Sequence, residues 1–232
     1  MKQVRLRGGY RIFQQKGGLG LTQDSVLLAD FCSLRPGERA IELGCGQGGL
    51  WVLTLLKHPG ATLDALELDP RSLEQARENA ARCGLSERGQ FFQGDAAEFR
   101  PAGFHYDVCL SNPPYAVPGP PSPDERRRLA RSGAPEPFFR GVKGMLGQKG
   151  RFYFCWPARH FFRAVELLQE NGFSPRQVRF VHGKPGEEAQ LALVMARRGL
   201  GESQILPPLV LRDEMGEYTQ EYRRIHGVME EE

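Results

Sequence analysis

The chain has 232 residues, 40% of them hydrophobic and 25% charged, the proportions of a globular domain with a real core. The 31 Lys and Arg against 28 Asp and Glu leave a net charge of +3, too small to mark a nucleic-acid binder by charge alone. Apolar runs such as Trp51–Leu56 fall far short of the roughly 20 residues of a membrane-spanning helix. The basic start has no apolar run ahead of a small-residue cleavage site, so no secretory leader is expected either.

Residues 1–20 contain Lys2, Arg5, Arg7, Arg11 and Lys16 and no acid, and read as a basic arm able to hold phosphates. Thr22 and Asp24 then precede the apolar run Val26–Phe31, a capped helix. From residue 39 onward, short β-rich runs alternate with helical stretches, the pattern of a parallel sheet with crossover helices. Seven strands are expected, at Arg39–Leu43, Thr62–Leu68, Gln90–Gln93, Tyr106–Leu110, Arg151–Trp156, Gln177–His182 and Gln190–Ala196. The clearest helix is Asp69–Cys83, where Asp69 caps, Pro70 suits the first turn and Gly84 the stop. Its Leu73, Ala76, Ala80 and Cys83 share one face to bury. Ala116–Pro137 interrupts this regularity with six prolines around the basic run Asp124–Arg131, a loop long enough to be functional. We read one domain over 1–232, with the arm and helix to 36, the core over 37–200 and a C-terminal extension over 201–232.

Cys32, Cys45, Cys83, Cys109 and Cys155 are scattered, odd in number and without a CxxC pair. That argues for free thiols in a reducing cytoplasm, with no disulfide framework and no metal cluster.

The run Ile41–Gly49, IELGCGQGG, lies between the first core strand and a helical stretch. Glycines there let the backbone turn tightly and approach a ligand without Cβ clashes. Glu67 ends the second strand, where a carboxylate can accept hydrogen bonds from both hydroxyls of a ribose. Asp95 follows the third and can accept one from an adenine amino group. With Glu42, Gly44 and Gly46, these residues line the carboxyl edge of successive strands, where open α/β sheets bind ligands. A nicotinamide dinucleotide is disfavoured because GCGQGG reads as lacking the third glycine of the G-x-G-x-x-G spacing and no second phosphate-reading feature follows.

ELGCGQGG, LELD and GDA together resemble the cofactor core of the class I methyltransferases. The resemblance implies a Rossmann-like α/β fold with a seven-stranded, mostly parallel sheet, an antiparallel last strand and helices on both faces. It implies S-adenosylmethionine as cofactor, with the Gly44–Gly46 turn at the methionine part, Glu67 at the ribose and Asp95 near the adenine.

Directly after the fourth strand comes Ser111–Tyr115, SNPPY. An exocyclic amine on adenine is a poor nucleophile because its lone pair is delocalised into the ring. The Asn112 side-chain oxygen and the Pro113 carbonyl can accept both amine hydrogens and favour a more tetrahedral nitrogen, and consecutive prolines fix the direction of that carbonyl. Tyr115 offers an aromatic face for the base, and Pro114 lies beside it. Asn112 also belongs to the cofactor pocket. The motif resembles that of amino-methyltransferases acting on adenine N6 or on glutamine amides.

The flanks GYRIFQQKGGLGLTQDSVLLADF and RFVHGKPGEEAQLALVMARRG through GEYTQEYRRIHG resemble the bacterial family that methylates N6 of the adenine 3′ to the anticodon of a valine tRNA. The resemblance runs over nearly the whole chain and implies an RNA substrate in the cytoplasm; no obligatory protein partner is inferred from the sequence. Arg126, Arg127, Arg128 and Arg131, with Arg176, Arg179 and Lys184, are candidates to track RNA phosphates. Phe138 and Phe139 read as core, and His182 as a structural or phosphate-side residue. Two alternatives stay open. A protein glutamine N5-methyltransferase would use the same motif, although the roughly 38 residues before the first core strand are few for a helical substrate domain. A non-catalytic RNA-binding module could keep the same fold.

Overall fold

The computed structural model describes residues 1–15, 20–115 and 134–227. The strands are β1 (Lys2–Arg5), β2 (Arg11–Gln14), β3 (Arg39–Leu43), β4 (Thr62–Glu67), β5 (Phe91–Gln93), β6 (Tyr106–Ser111), β7 (Leu146–Pro157), β8 (Phe173–His182), β9 (Ala189–Arg198), β10 (Gln204–Ile205) and β11 (Leu209–Val210). The α-helices are α1 (Gln23–Phe31), α2 (Gly49–Lys57), α3 (Pro70–Arg82), α4 (Glu136–Met145), α5 (Phe161–Glu170) and α6 (Gln220–His226).

The main sheet runs β10-β8-β9-β7-β6-β3-β4-β5, with β11 also paired to β8. Strands β7, β6, β3, β4 and β5 are parallel, and β9 is antiparallel to both β7 and β8. The seven expected strands are all present with the antiparallel member last among them. Among the described residues the sheet has nine strands rather than seven, because β10 and β11 add short parallel pairings along β8. Two-residue strands bury too little to leave an alternation in the sequence.

Side-chain alternation splits the core in two. Leu63 and Ala65 of β4, Tyr153 and Cys155 of β7 and Leu191 and Leu193 of β9 face a cluster covered by α1, α2, α3 and α6. Leu66, Phe152, Phe154, Ala192 and Val194 face the other, under α4 and α5. Helices therefore cover both faces, as the class I resemblance implied. Asp69 caps α3 by accepting the Ser72 N–H, Pro70 opens its first turn, and Gly84 follows at φ 67°. Local chemistry and packing agree on that helix.

Residues 1–15 correct the expected arm. Strands β1 and β2 form an antiparallel hairpin, with Ile12 fully buried. Asn79 of α3 staples β2: its Oδ1 accepts the Phe13 N–H at 2.8 Å and its Nδ2 donates to Phe13 O at 2.9 Å. Arg82 lies over the Phe13 ring. Residues 201–227 pack back on the core, α6 contributing Tyr222 and Ile225 to the α1 side.

Candidate active site

The strand order reverses between β3 and β6, whose neighbours run to opposite sides of the sheet. The crevice outside the carboxyl ends at such a point is where α/β sheets bind ligands. Both motifs singled out in the sequence leave the sheet there. Ser111 is buried and donates from Oγ to Leu43 O at 2.9 Å, tying the ends of β6 and β3 together.

On the β3–β4 side the site is built largely from backbone. Gly44, Gly46 and Gly48 have φ of 70°, 53° and 80°. A Cβ on Gly44 would lie 2.8 Å from the Phe138 ring, and one on Gly48 would lie 3.1 Å from Ala76 of α3. The N–H groups of Gly44 and Cys45 both bond Leu66 O, which fixes the turn against β4. Glu67 receives three backbone donors: Gly46 N–H on Oε2 at 2.8 Å, and Leu68 and Asp69 N–H on Oε1 at 2.9 Å each. It does not wait free at the strand end. Most of the roughly four lone-pair positions of a carboxylate are already used to hold the loop. Asp95 Oδ1 accepts Ala97 N–H at 2.7 Å in the turn after β5.

Glu42 lies one residue inside the end of β3, 2% exposed, between Ala65 and Leu110 of the flanking strands. Its Oε2 is buried and has no hydrogen-bond partner among the described residues. Burial, aided by the charge of Glu67, pushes its carboxyl well above the ordinary range. Leu68, beside Glu67, is 64% exposed despite being apolar.

On the β6–β7 side the site is built from side chains. The Asn112 amide nitrogen donates to Ser25 Oγ at 3.1 Å and to Thr22 Oγ1 at 3.4 Å, while its oxygen accepts the Cys155 thiol at 3.0 Å. Burial pushes the Cys155 thiol up, so it stays protonated and donates. Tyr115 donates its phenol to Asp24 Oδ2 at 3.0 Å and stands edge-on to Trp156, ring centroids 5.9 Å apart. Trp156 in turn packs on Phe139, which touches Phe152 and Phe154. Among the described residues no donor meets the Pro113 carbonyl. A cavity of about 520 Å³ opens beside Tyr115, lined by Asp24, Leu27, Pro157, Arg159 and Leu191 among others.

The structure thus brings Glu42, Gly44, Gly46, Glu67, Asn112, Pro113 and Tyr115 to one edge of the sheet, with Pro114 in the same segment. Arg126, Arg127, Arg128 and Arg131 lie outside the described residues. Arg179 is not available to a phosphate as expected, because it makes two bonds to Glu221 and one to Pro207 O. Arg176 donates to the carbonyls of Arg198, Gly199 and Leu200. His182 holds Glu187 O through Nδ1, a structural role. Phe139 is core, whereas Phe138 is half-buried and lies over Gly44. The partners of Asn112 and Tyr115 were missed: Thr22 and Asp24 read only as helix-start residues, and Cys155 only as a free thiol. All five cysteines are indeed free and buried.

Gly49 completes a G-x-G-x-x-G spacing as well, so spacing alone does not separate the methyltransferase reading from the dinucleotide one. The family comparison does. Residues 20–171 match the methyltransferase small domain family. The chain belongs to that family. Among relatives of this small-domain methyltransferase, a tRNA1(Val) (adenine(37)-N6)-methyltransferase of Yersinia enterocolitica is 28% identical, over 95% of this chain and 92% of the relative. One of the same name from Parabacteroides distasonis is 27% identical over 93% and 92%. Among solved structures, a predicted O-methyltransferase of Agrobacterium tumefaciens superposes with a TM-score of 0.71 at 19% identity, covering 88% of this chain and 95% of that one. A putative RNA methyltransferase of Pyrococcus horikoshii gives 0.56 at 18%, covering 76% and 82%. At those identities the structural likeness speaks for the class I methyltransferase fold. Among the described residues no helix is long and apolar enough to cross a membrane, and no His, Cys, Asp and Glu cluster could hold a metal ion.

Proposed function

We propose that this methyltransferase transfers the methyl group of S-adenosylmethionine to the exocyclic N6 of an adenine in RNA, with tRNA as the substrate class and the cytoplasm as its location. The observation that carries the reading is the orientation of Asn112. Its nitrogen faces the hydroxyls of Thr22 and Ser25 at the start of α1, and the one donor its oxygen meets among the described residues is the weak, buried thiol of Cys155. An amide oxygen has two lone pairs, so one is left for an acceptor amine.

The residues fit the cofactor. A buried carboxyl with an orphaned oxygen, Glu42, suits a cationic amino group. The left-handed turn at Gly44 and Gly46 suits close backbone approach, and the exposed Leu68 beside Glu67 offers an apolar surface to a nucleoside. Gly44, Gly46 and Glu42 would hold the methionine part, Glu67 the ribose through its remaining lone pair, and Asp95 the adenine. Bound there, the cofactor supplies an electrophilic methyl on a sulfonium.

The chain's own work is positioning and electrostatics. Asn112 Oδ1 and Pro113 O accept the two amine hydrogens and free the nitrogen lone pair. Tyr115 stacks the base, a contact worth about 1–3 kcal/mol in nucleic-acid systems. No side chain is assigned as general base. The relatives' names, carried over nearly the whole chain, support RNA adenine as acceptor.

The test is transfer of labelled methyl from S-adenosylmethionine to unmodified tRNA, ribosomal RNA fragments and a protein extract, followed by analysis of the hydrolysates. N6-methyladenosine in tRNA is the expected product. Label recovered as methylglutamine, or cofactor binding with no transfer to either pool, contradicts the proposal.

A further inference from the structure

The first turn of α1 touches both working side chains of the Ser111–Tyr115 segment across about 90 residues of sequence. Thr22 and Ser25 take the Asn112 amide, and Asp24 takes the Tyr115 phenol. Capping explains only part of this. Thr22 Oγ1 already accepts the Ser25 N–H and so supplies the helix cap. Asp24 is not needed for that, and burial raises its carboxyl, so keeping an anion there is unfavourable. The phenol hydrogen bond offsets part of that burial, since it acts in the opposite direction on the same carboxyl.

The phenol bond bears directly on where the Tyr115 ring stands. The ring meets Trp156 edge-on and borders the cavity lined by Leu27, Pro157 and Leu191. A fixed phenol oxygen sets the swing of the side chain about its Cα–Cβ bond; that oxygen lies on the Cβ–Cγ axis, so the turn of the ring about the axis is set by ring contacts, Trp156 among them. The position of the Tyr115 ring is therefore set by Asp24 at one end and by the Pro113–Pro114 backbone at the other.

We propose that Asp24 is a positioning residue for methyl transfer: it anchors the Tyr115 phenol and so holds the ring in place to stack on the acceptor, while Thr22 and Ser25 hold the Asn112 amide nitrogen and so fix which way its oxygen faces. This rests on the acceptor chemistry proposed above, and deepens it by assigning the device that orients the acceptor side.

The experiment is a double-mutant cycle in single-turnover methyl transfer, using Asp24→Ala, Tyr115→Phe and the double variant on whichever acceptor the wild type methylates. Asp24→Ala and Tyr115→Phe should each lower kcat/KM about tenfold or more, chiefly through KM for the acceptor. The double variant should lose no more than the worse single one. Asp24→Asn keeps an accepting oxygen and should stay within about threefold of wild type. Affinity for S-adenosylmethionine should not move in any of them. Near-ultraviolet circular dichroism of the Tyr115–Trp156 pair supplies a readout that needs no turnover: Asp24→Ala should weaken it and Asp24→Asn should not. Losses that multiply in the double variant, cofactor affinity falling in step with rate, or an unchanged dichroism in Asp24→Ala would each overturn the proposal. If the wild type methylates glutamine instead, the adenine assignment falls, and the same cycle on that acceptor still decides whether Asp24 positions Tyr115.

Discussion

The two halves of the crevice are built in different ways. On the β3–β4 side, nearly all the geometry is local backbone: glycines at positive φ, a turn bonded to Leu66 O, and Glu67 gripped by the N–H groups of Gly46, Leu68 and Asp69. On the β6–β7 side, the working groups are side chains held by partners far away in the chain, Ser25 at 87 residues, Asp24 at 91 and Cys155 at 43. A surface that binds the same cofactor every time is well served by rigid backbone. An acceptor surface is set by side chains on α1 and β7, which can be changed without rebuilding the sheet.

The largest effect that separates the halves should come from Phe139→Ala. This residue is 1% exposed and touches Phe152, Phe154 and Trp156. Truncation should cost about 3–5 kcal/mol of stability in denaturant unfolding, and at temperatures where the variant remains folded, acceptor KM should rise while cofactor affinity holds. Asn79→Ala comes next. It leaves Phe13 N–H, Phe13 O and Gln47 O without their partner and should cost about 1–3 kcal/mol, read as a lower Tm of roughly 2–12 °C. Gly44→Ala then tests the backbone half. A side chain at φ 70° facing the Phe138 ring is strained by about 1–2 kcal/mol, which should appear as roughly tenfold weaker cofactor binding with acceptor affinity unchanged.

A further effect is a tilt with pH. Glu42 has its carboxyl raised well above the ordinary range by burial and by Glu67, so the fold favours its protonated form. Stability from that group is fully present below its unfolded pKa and is lost as pH rises through the raised one. Wild-type stability should therefore decline relative to Glu42→Gln as pH climbs from about 5 to about 8 in chemical unfolding. Parallel pH profiles for the two proteins would show that Glu42 does not titrate differently in the fold.

The same contrast explains what could be read in the sequence. Helix α3 was legible because Asp69, Pro70 and Gly84 punctuate it and its apolar face repeats, and the sequence expectation and the structure agree there to within a residue at either end. The glycine loop, Glu67 and the Asn112–Tyr115 segment were legible because each is a short motif at a strand end. The β1–β2 hairpin was not. Its strands have four residues each, with Ile12 and Gln14 buried and Val4 and Phe13 half-buried, too few apolar positions to stand out among the basic ones. Thr22 and Asp24 signal only a helix start in the sequence, since a cap and a side-chain clamp use the same oxygen chemistry. Cys155 carried no local signal at all. Its role comes from the β6–β7 pairing, which sets Ser111 beside Phe154 and so brings the next residue of each strand within reach.

The proposed function requires Asn112 to act chiefly on the acceptor amine, whatever it adds to the cofactor pocket. Asn112→Ala tests this, with the single-turnover rate of methyl transfer and the Kd for S-adenosylmethionine measured on the same preparation. The expected rate is lower by about 10²–10³, the scale for removing one preorganised hydrogen-bonding group from an active site, with Kd within about threefold of wild type. A Kd weakened as much as the rate, or a rate that survives the substitution, contradicts it.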